Sequence, residues 1–212
     1  MKKLFILLVS TIIVLYGMPS MATTIGLMPK VGLNLANMSL DPEVETPFEK
    51  SMKLKLGIVG GLGAEIGLGT LAVEADLLYS QKGLNIKGEV LTVKIDYTTK
   101  IDYLAIPIIG KAVLPAGTMN IFIGAGPEIG MLLSAKETTK IEGVGESSEE
   151  TTDVKDDFES TDLGLVIAGG VEISNLIIEA RYVLGLSDIA KDKEQKAKNS
   201  TISILVGYKF SL

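Results

Sequence analysis

The sequence predicts an all-β fold, an eight-stranded antiparallel up-and-down transmembrane β-barrel. Three observations predict it. Eight stretches alternate apolar and polar residues, the mark of a strand with a different solvent on each face. The links between them alternate short and long, as the two ends of a membrane barrel do. An export signal stands in front of them.

The signal comes first. Met1-Lys2-Lys3 is a positive start, Leu4 to Tyr16 an apolar run, and Gly17 to Ala22 a small-residue cleavage region. Ser20 and Ala22 take the −3 and −1 places, so cleavage is expected after Ala22. Residues 1–22 are read as a signal peptide and 23–212 as one barrel domain. The apolar run is short for the roughly 20 residues of a membrane helix. No later segment is long, apolar and free of charge, so the positive mean hydropathy is assigned to the lipid faces of strands.

The strands follow in order: Met28–Met38, Leu54–Ile66, Thr70–Lys82, Lys100–Leu114, Thr118–Ser134, Thr161–Ile173, Leu176–Asp188 and Ser200–Phe210. The first carries Lys30 on its inward phase; the second carries Lys55, Gly57, Gly61, Gly63 and Glu65. The third turns Leu71, Val73, Ala75, Leu77 and Tyr79 to lipid, with Glu74 and Asp76 inside. The fourth places Lys111 inside. In the fifth, Ile121, Ile123, Ala125, Ile129 and Met131 go out and Glu128 goes in. In the sixth, Leu163, Leu165, Ile167, Val171 and Ile173 go out and Glu172 goes in. The seventh sends Ile178, Ala180, Tyr182, Leu184 and Leu186 out, with Glu179 and Arg181 in. The last has Ile202, Ile204, Val206, Tyr208 and Phe210 outside and Lys209 inside.

The short links are Gly67-Leu68-Gly69, Pro115-Ala116-Gly117 and Ser174-Asn175, all of turn-forming residues. The long links are Ser39–Lys53, Gly83–Thr99, Ala135–Ser160 and Ile189–Asn199. Within the second, Glu89 to Ile95 alternates weakly, so the flanking strands are expected to project as a hairpin. The third holds nine acids against three lysines and has little to bury, so it is expected to be mobile.

Nearly every mid-strand charge falls on one phase. The inward acids are Glu65, Glu74, Asp76, Glu128, Glu172 and Glu179; the inward cations are Lys30, Lys55, Lys111, Arg181 and Lys209. An uncompensated charge in such an interior costs several kcal/mol. The near balance of signs therefore points to a structural network of paired charges filling a narrow lumen. A proton or ion path is the functional reading of the same residues. Inward glycines, among them Gly57, Gly63, Gly126 and Gly207, leave room for the long charged side chains.

Composition narrows the chemistry. There is no cysteine and no histidine, which removes disulfides, thiolate metal sites and the commonest general base. Net charge is −6, becoming −8 without Lys2 and Lys3, and no basic stripe suits nucleic acid. Gly124-Ala125-Gly126-Pro127-Glu128-Ile129-Gly130 has glycines, but alternation runs through it and no helix follows, so it is not read as a dinucleotide loop. The pairs Glu74/Asp76 and Glu128/Glu172 suit acid–base work only with an open pocket. Asp153, Asp156, Asp157 and Glu159 lack calcium-loop spacing and are read as a solvated acidic run. The lysines of Lys191–Lys198 could meet lipopolysaccharide phosphates or stay solvated. No cofactor is expected.

Three motifs carry a resemblance. They are Asp102-Tyr103-Leu104-Ala105-Ile106-Pro107-Ile108-Ile109-Gly110-Lys111, the Gly124–Gly130 run, and Glu179-Ala180-Arg181-Tyr182-Val183-Leu184-Gly185-Leu186. With the closing Gly207-Tyr208-Lys209-Phe210, and over nearly all the mature chain, they resemble the small outer-membrane β-barrel family that includes PorT-like proteins of Bacteroidetes-type bacteria. The resemblance implies an eight-stranded barrel of the OmpA-like and OmpX-like kind. Most members of that family have no assigned biochemical activity, and a few are linked to protein secretion or surface adhesion. Such barrels usually finish on an aromatic residue read by the assembly machinery, whereas here Ser211 and Leu212 follow Phe210. Tryptophan is absent.

The sequence therefore points to a non-enzymatic protein in the outer membrane of a Gram-negative-type bacterium, displaying extracellular loops for adhesion or partner interaction. Its expected partners are outer-membrane lipid and lipopolysaccharide, the barrel-assembly machinery through the last strand, and a protein at the loops. A narrow pore or secretion-associated transport component is the second reading. A soluble exported barrel with a small ligand is the third, and it would need a more polar outer face.

Overall fold

A computed structural model describes residues 23–41, 50–90, 93–142, 147–192 and 196–212. The expected signal peptide lies outside them. The described chain is strand almost throughout. In chain order the strands are β1 (Thr23–Asp41), β2 (Lys50–Lys53), β3 (Lys55–Leu68), β4 (Leu71–Val90), β5 (Val93–Ala116), β6 (Met119–Glu142), β7 (Ser147–Asp153), β8 (Thr161–Ile173), β9 (Leu176–Gly185), β10 (Lys196–Tyr208) and β11 (Phe210–Ser211). A single 3-10 turn, Lys155–Asp157, follows β7.

Eight of these close a ring. The antiparallel order β10-β9-β8-β6-β5-β4-β3-β1 returns to β10, because β1 pairs β10 from Lys30↔Gly207 to Asp41↔Lys196. Closure leaves the ring with no open edge, the condition for strands in lipid, where no water can satisfy a backbone group. The pleat sorts the side chains as period two requires. On β9 alternate residues are exposed and buried throughout, and β8 follows the same rhythm over Thr161–Ala168. The outer surface carries Leu33, Leu62, Leu77, Ile108, Ile123, Ile167, Ile178 and Ile204, all large, apolar and exposed.

All three short links are two-residue turns that need a left-handed residue. Gly69 (φ 74°) and Gly117 (φ 69°) supply it, and Ser174 (φ 55°) does so in the third. Both described chain ends lie at this end of the ring, where Thr23 pairs Leu68 and Gly26 pairs Ser211.

At the opposite end most expected boundaries move. Strands β4, β5 and β6 run past the ring, reaching 20, 24 and 24 residues, against 10 for β9. The β4–β5 hairpin is present, with pairing as far as Val90↔Val93. The acidic link expected to be mobile is instead a second hairpin: β6 pairs β7 from Lys136↔Asp153 to Glu142↔Ser147. It has little to bury, as the sequence indicated, but it extends a ladder already nucleated by the barrel wall. Cross-strand contacts support it, with Thr138 and Thr151 hydroxyls 3.0 Å apart and Lys140 3.9 Å from Glu149. The result is a projecting sheet ordered β2-β4-β5-β6-β7. Finally, β9 stops at Gly185 rather than Asp188. The chain there leaves the wall, with the N–H groups of Leu186 and Ser187 both donating to the Leu163 carbonyl.

The lumen and the mouth as the candidate functional site

The lumen is built from the inward phase of each strand. Glu74 on β4 is completely buried, and three cations converge on it. Lys30 Nζ donates to it at 2.6 Å and Arg181 Nη2 at 2.7 Å, and Lys111 Nζ donates to its second oxygen. Arg181 also holds Glu179 at 2.8 Å and Asp76 at 2.7 Å, and Lys30 reaches Glu179 at 3.2 Å. Lys111 passes the chain on to Glu65 at 3.1 Å, and Lys209 joins Glu65 (2.6 Å) to Glu172 (3.0 Å). Nine of the eleven inward charges thus form one connected network across β1, β3, β4, β5, β8, β9 and the β10–β11 junction.

Glycine makes the room for it. A Cβ on Gly63 would lie 2.1 Å from the Asp76 carboxylate, so only a residue without one fits opposite that charge. Gly126, in the glycine-rich run, faces the neighbouring strand so closely that a Cβ would stand 1.8 Å from the Ile108 carbonyl oxygen. That run lies inside β6, as a wall segment.

The remaining two expected residues sit elsewhere. Glu128 belongs to a second cluster nearer the projecting end, where Lys82 Nζ donates to it at 2.8 Å and lies 3.5 Å from Asp162. Asn199 donates to Asp162 at 2.8 Å and to the Tyr103 hydroxyl at 3.3 Å. Lys82 also stands 5.3 Å over the Tyr103 ring. Glu128 and Glu172 are therefore not brought together, and Glu74 and Asp76 share the same two cations. Lys55 is buried with no carboxylate at ion-pair distance among the described residues. Between the two clusters Asn34 links Ser80 (3.0 Å) and Ser203 (2.7 Å).

Lys82 and Asp162 are absent from the sequence-derived set, although both lie on the inward phase of predicted strands. They are the last residue of predicted strand three and the second of predicted strand six, outside the mid-strand charges. β4 runs on past Lys82, and Asp162 on β8 stands 3.5 Å from the Lys82 ammonium.

Above Lys82 an apolar layer packs at the mouth. Met38, Leu84, Ile101, Tyr103, Ala135, Ile189 and Ala197 pack as one buried cluster, with Phe158 and Ala190 against it. Ile189 comes from the β9–β10 link and is fully buried. Its segment is tied on both sides: Ile189 N–H donates to the Ala197 carbonyl, and Glu159 N–H donates to the Ile189 carbonyl at 2.8 Å. The Asp188 carboxylate accepts from the N–H groups of Ala190 and Ala197.

Beyond the mouth the pattern inverts. A β-bulge on β6 opposite Asp102 and Tyr103 shifts the phase, because Asp102 pairs Ser134 and Tyr103 pairs Leu132. In the projecting sheet the face continuing the lumen carries Leu84, Ile86, Ile95, Tyr97 and Ile141. The face continuing the lipid surface carries Lys87 paired with Asp96 at 2.8 Å, and Lys140 with Glu149. Burial, and then a hydrogen bond to Glu137, push the Tyr97 hydroxyl above its ordinary value. It therefore stays a neutral donor.

Among the described residues no three acidic side chains converge as a metal site, and Asp153 instead accepts the Lys155 N–H at 3.0 Å. The last strand resumes its register after Lys209. Phe210 pairs Leu27, and Leu212 N–H donates to the Ile25 carbonyl at 2.9 Å. Val206, Tyr208, Phe210 and Leu212 are thus all exposed on one phase, and the Tyr208 and Phe210 rings lie 4.8 Å apart.

A closed antiparallel ring, apolar outside and ionic inside, is an eight-stranded membrane β-barrel. A family described as "Outer membrane protein beta-barrel domain" matches residues 21–191, and the chain belongs to it. It is a protein of the Gram-negative outer membrane, and its apolar belt is solvated by that membrane's lipid. No curated protein matches the chain. Among solved structures it is similar to Ail, the attachment invasion locus protein of Yersinia pestis. Identity is 14%, with 88% of this chain and 99% of that one covered, and the TM-score is 0.42. It is also similar to Neisserial surface protein A (13% identity, 87% and 97% covered, TM-score 0.43). OprG from Pseudomonas aeruginosa is a third (12% identity, 89% and 95% covered, TM-score 0.41).

Proposed function

We propose that this chain is a non-enzymatic display barrel. Its lumen is closed by structural ion pairs, and its working surface is the sheet that projects from the outer membrane for adhesion or partner interaction. The observation that carries this reading is the contrast in how its charges are spent. Inside the ring the carboxylates around Glu74 are already engaged with Lys30, Lys111 and Arg181, and Ile189 packs over the mouth. Outside it, three strands extend well past the ring and carry exposed polar faces. Eight Cα spacings of β5 beyond the mouth amount to roughly 25 Å of strand. A barrel built only to sit in the membrane has no need of that length.

Two lesser contacts follow from the same surface. Lys196 and Lys198 are exposed on the outward phase of β10, beyond Ile202, where lipopolysaccharide phosphates would meet them. The outward run Val206, Tyr208, Phe210 and Leu212 is the face of the last strand offered to the barrel-assembly machinery.

The reading is tested by single-channel recording of the refolded mature chain in planar bilayers. A closed lumen gives no steady conductance. Sustained, salt-dependent channel events would overturn it in favour of a narrow pore.

A further inference from the structure

The projecting sheet ends in an unfinished strand. β4 is flanked by β5 along the projection and by β2 over Asn85–Gly88, and β5 lies between β4 and β6. β7 pairs β6 on one side only, and no strand among the described residues pairs its other side. It runs seven residues, Ser147-Ser148-Glu149-Glu150-Thr151-Thr152-Asp153, with Ser148 to Asp153 exposed.

The ladder tells which backbone groups are free. Val154 N–H donates to the Ala135 carbonyl at 3.0 Å. In an antiparallel pair that alternation turns the N–H groups of Glu150 and Thr152 towards β6, and those of Glu149, Thr151 and Asp153 away from it. The edge therefore offers a row of unpaired donors and acceptors, and it carries neither of the usual blunting residues, lysine and proline. Its side chains supply one sign of charge. Glu149 and Asp153 lie on one face and Glu150 on the other, and exposed Asp156, Asp157 and Glu159 continue the run at its base.

We propose that the free edge of β7 is the docking site for an extended, basic segment of a partner protein, added to the projecting sheet as its next strand. Main-chain hydrogen bonds give such an addition its affinity, and alternate side chains give it selectivity. Lysine or arginine at alternate positions of the incoming strand would lie beside Glu149 and Asp153 on one face and Glu150 on the other. This site rests on the display reading and names the chemistry of its partner.

The probe is a fluorescent peptide of alternating lysine and valine, with a glutamate–valine peptide as its counterpart. Both are titrated against the barrel in phosphatidylcholine nanodiscs, so that lipid charge plays no part. The lysine peptide is expected to bind wild type and Thr151→Val, which keeps the edge N–H. It should bind Thr151→Pro, which removes it, roughly tenfold more weakly. The triple variant E149Q/E150Q/D153N should lose the salt dependence of binding. Hydrogen exchange supplies the second readout, free of any folding defect in the proline variant. The Glu149, Thr151 and Asp153 amides should exchange fast in the free barrel and become protected by the lysine peptide. Absence of binding, equal binding of the glutamate peptide, or amides left unprotected would overturn the docking site. Those outcomes leave the display reading standing if bilayer recordings of the same preparation stay silent, whereas open channels would sink the display reading itself.

Discussion

The two halves of β5 are one continuous strand with opposite rules. Below the mouth its outward residues are Leu104, Ile106 and Ile108, and its inward phase includes the buried Lys111. Above the mouth the outward phase carries Asp96, and the inward phase carries Ile95 and Tyr97. Both halves lie between β4 and β6 in antiparallel ladders, so the neighbours are not what differs. The solvent is. In lipid the apolar face turns out and the charges must find one another inside. In water the apolar face turns toward the axis and the charges turn out, as in an ordinary soluble sheet. The bulge opposite Asp102 and Tyr103 is where β6 changes phase to follow.

The sharpest way to break that comparison is to remove one member of the lumen network. Glu74→Ala leaves Lys30, Lys111 and Arg181 short of a shared partner in a dry interior, with an expected loss of about 3–5 kcal/mol. Urea unfolding of the refolded barrel in lipid vesicles, or failure to give a heat-modifiable band, would register it. A stability within error of wild type would mean that the interior is wet.

The next effect comes from the lipid face. Ile167→Arg should cost roughly 2–4 kcal/mol if Ile167 sits near the bilayer midplane. Its neighbour Ala168, inward and buried, should accept serine with little change. Equal tolerance at the two sites in the same unfolding assay would sink the assigned phase. The matching substitution above the mouth is Ile141→Arg, on the half-exposed inner face of the projecting sheet. It should shift stability by no more than about 0.5 kcal/mol, because water is at hand. A penalty as large as that of Ile167→Arg would show that this face is covered.

The smallest effect belongs to the outer face of the projection. A double-mutant cycle on Lys87 and Asp96, both substantially exposed, should give a coupling of about 0.2–1 kcal/mol that fades in high salt. The lumen pair Lys30–Glu74 run through the same cycle should barely respond to salt.

Much of the barrel was legible because period two needs no knowledge of partners. Ile202, Ile204 and Val206 announce a lipid face by spacing alone, and Glu74, Asp76, Glu179 and Arg181 then fall opposite it. The short links were legible through Gly69, Gly117 and Ser174-Asn175, whose residues tolerate the backbone a tight turn requires. Reading failed where pairing replaced burial. Ser147 to Asp153 has the composition of a solvated link, and it forms a strand because β6 is already in place to pair with it. Lys82 and Asp162 were passed over because they stand at the ends of predicted strands, away from the mid-strand charges.

By itself, then, the sequence determined the class of fold, the two faces of each wall strand and which charges point inward, because each of these follows from local spacing between lipid and lumen. Tertiary structure alone decided which cation meets which carboxylate, that Ile189 packs into the apolar layer above Lys82, and that β6 and β7 continue past the ring. These depend on register around a closed ring and on contacts between residues far apart in the chain, such as Lys30 and Glu179, 149 positions from one another. Spacing within a strand carries no information about either.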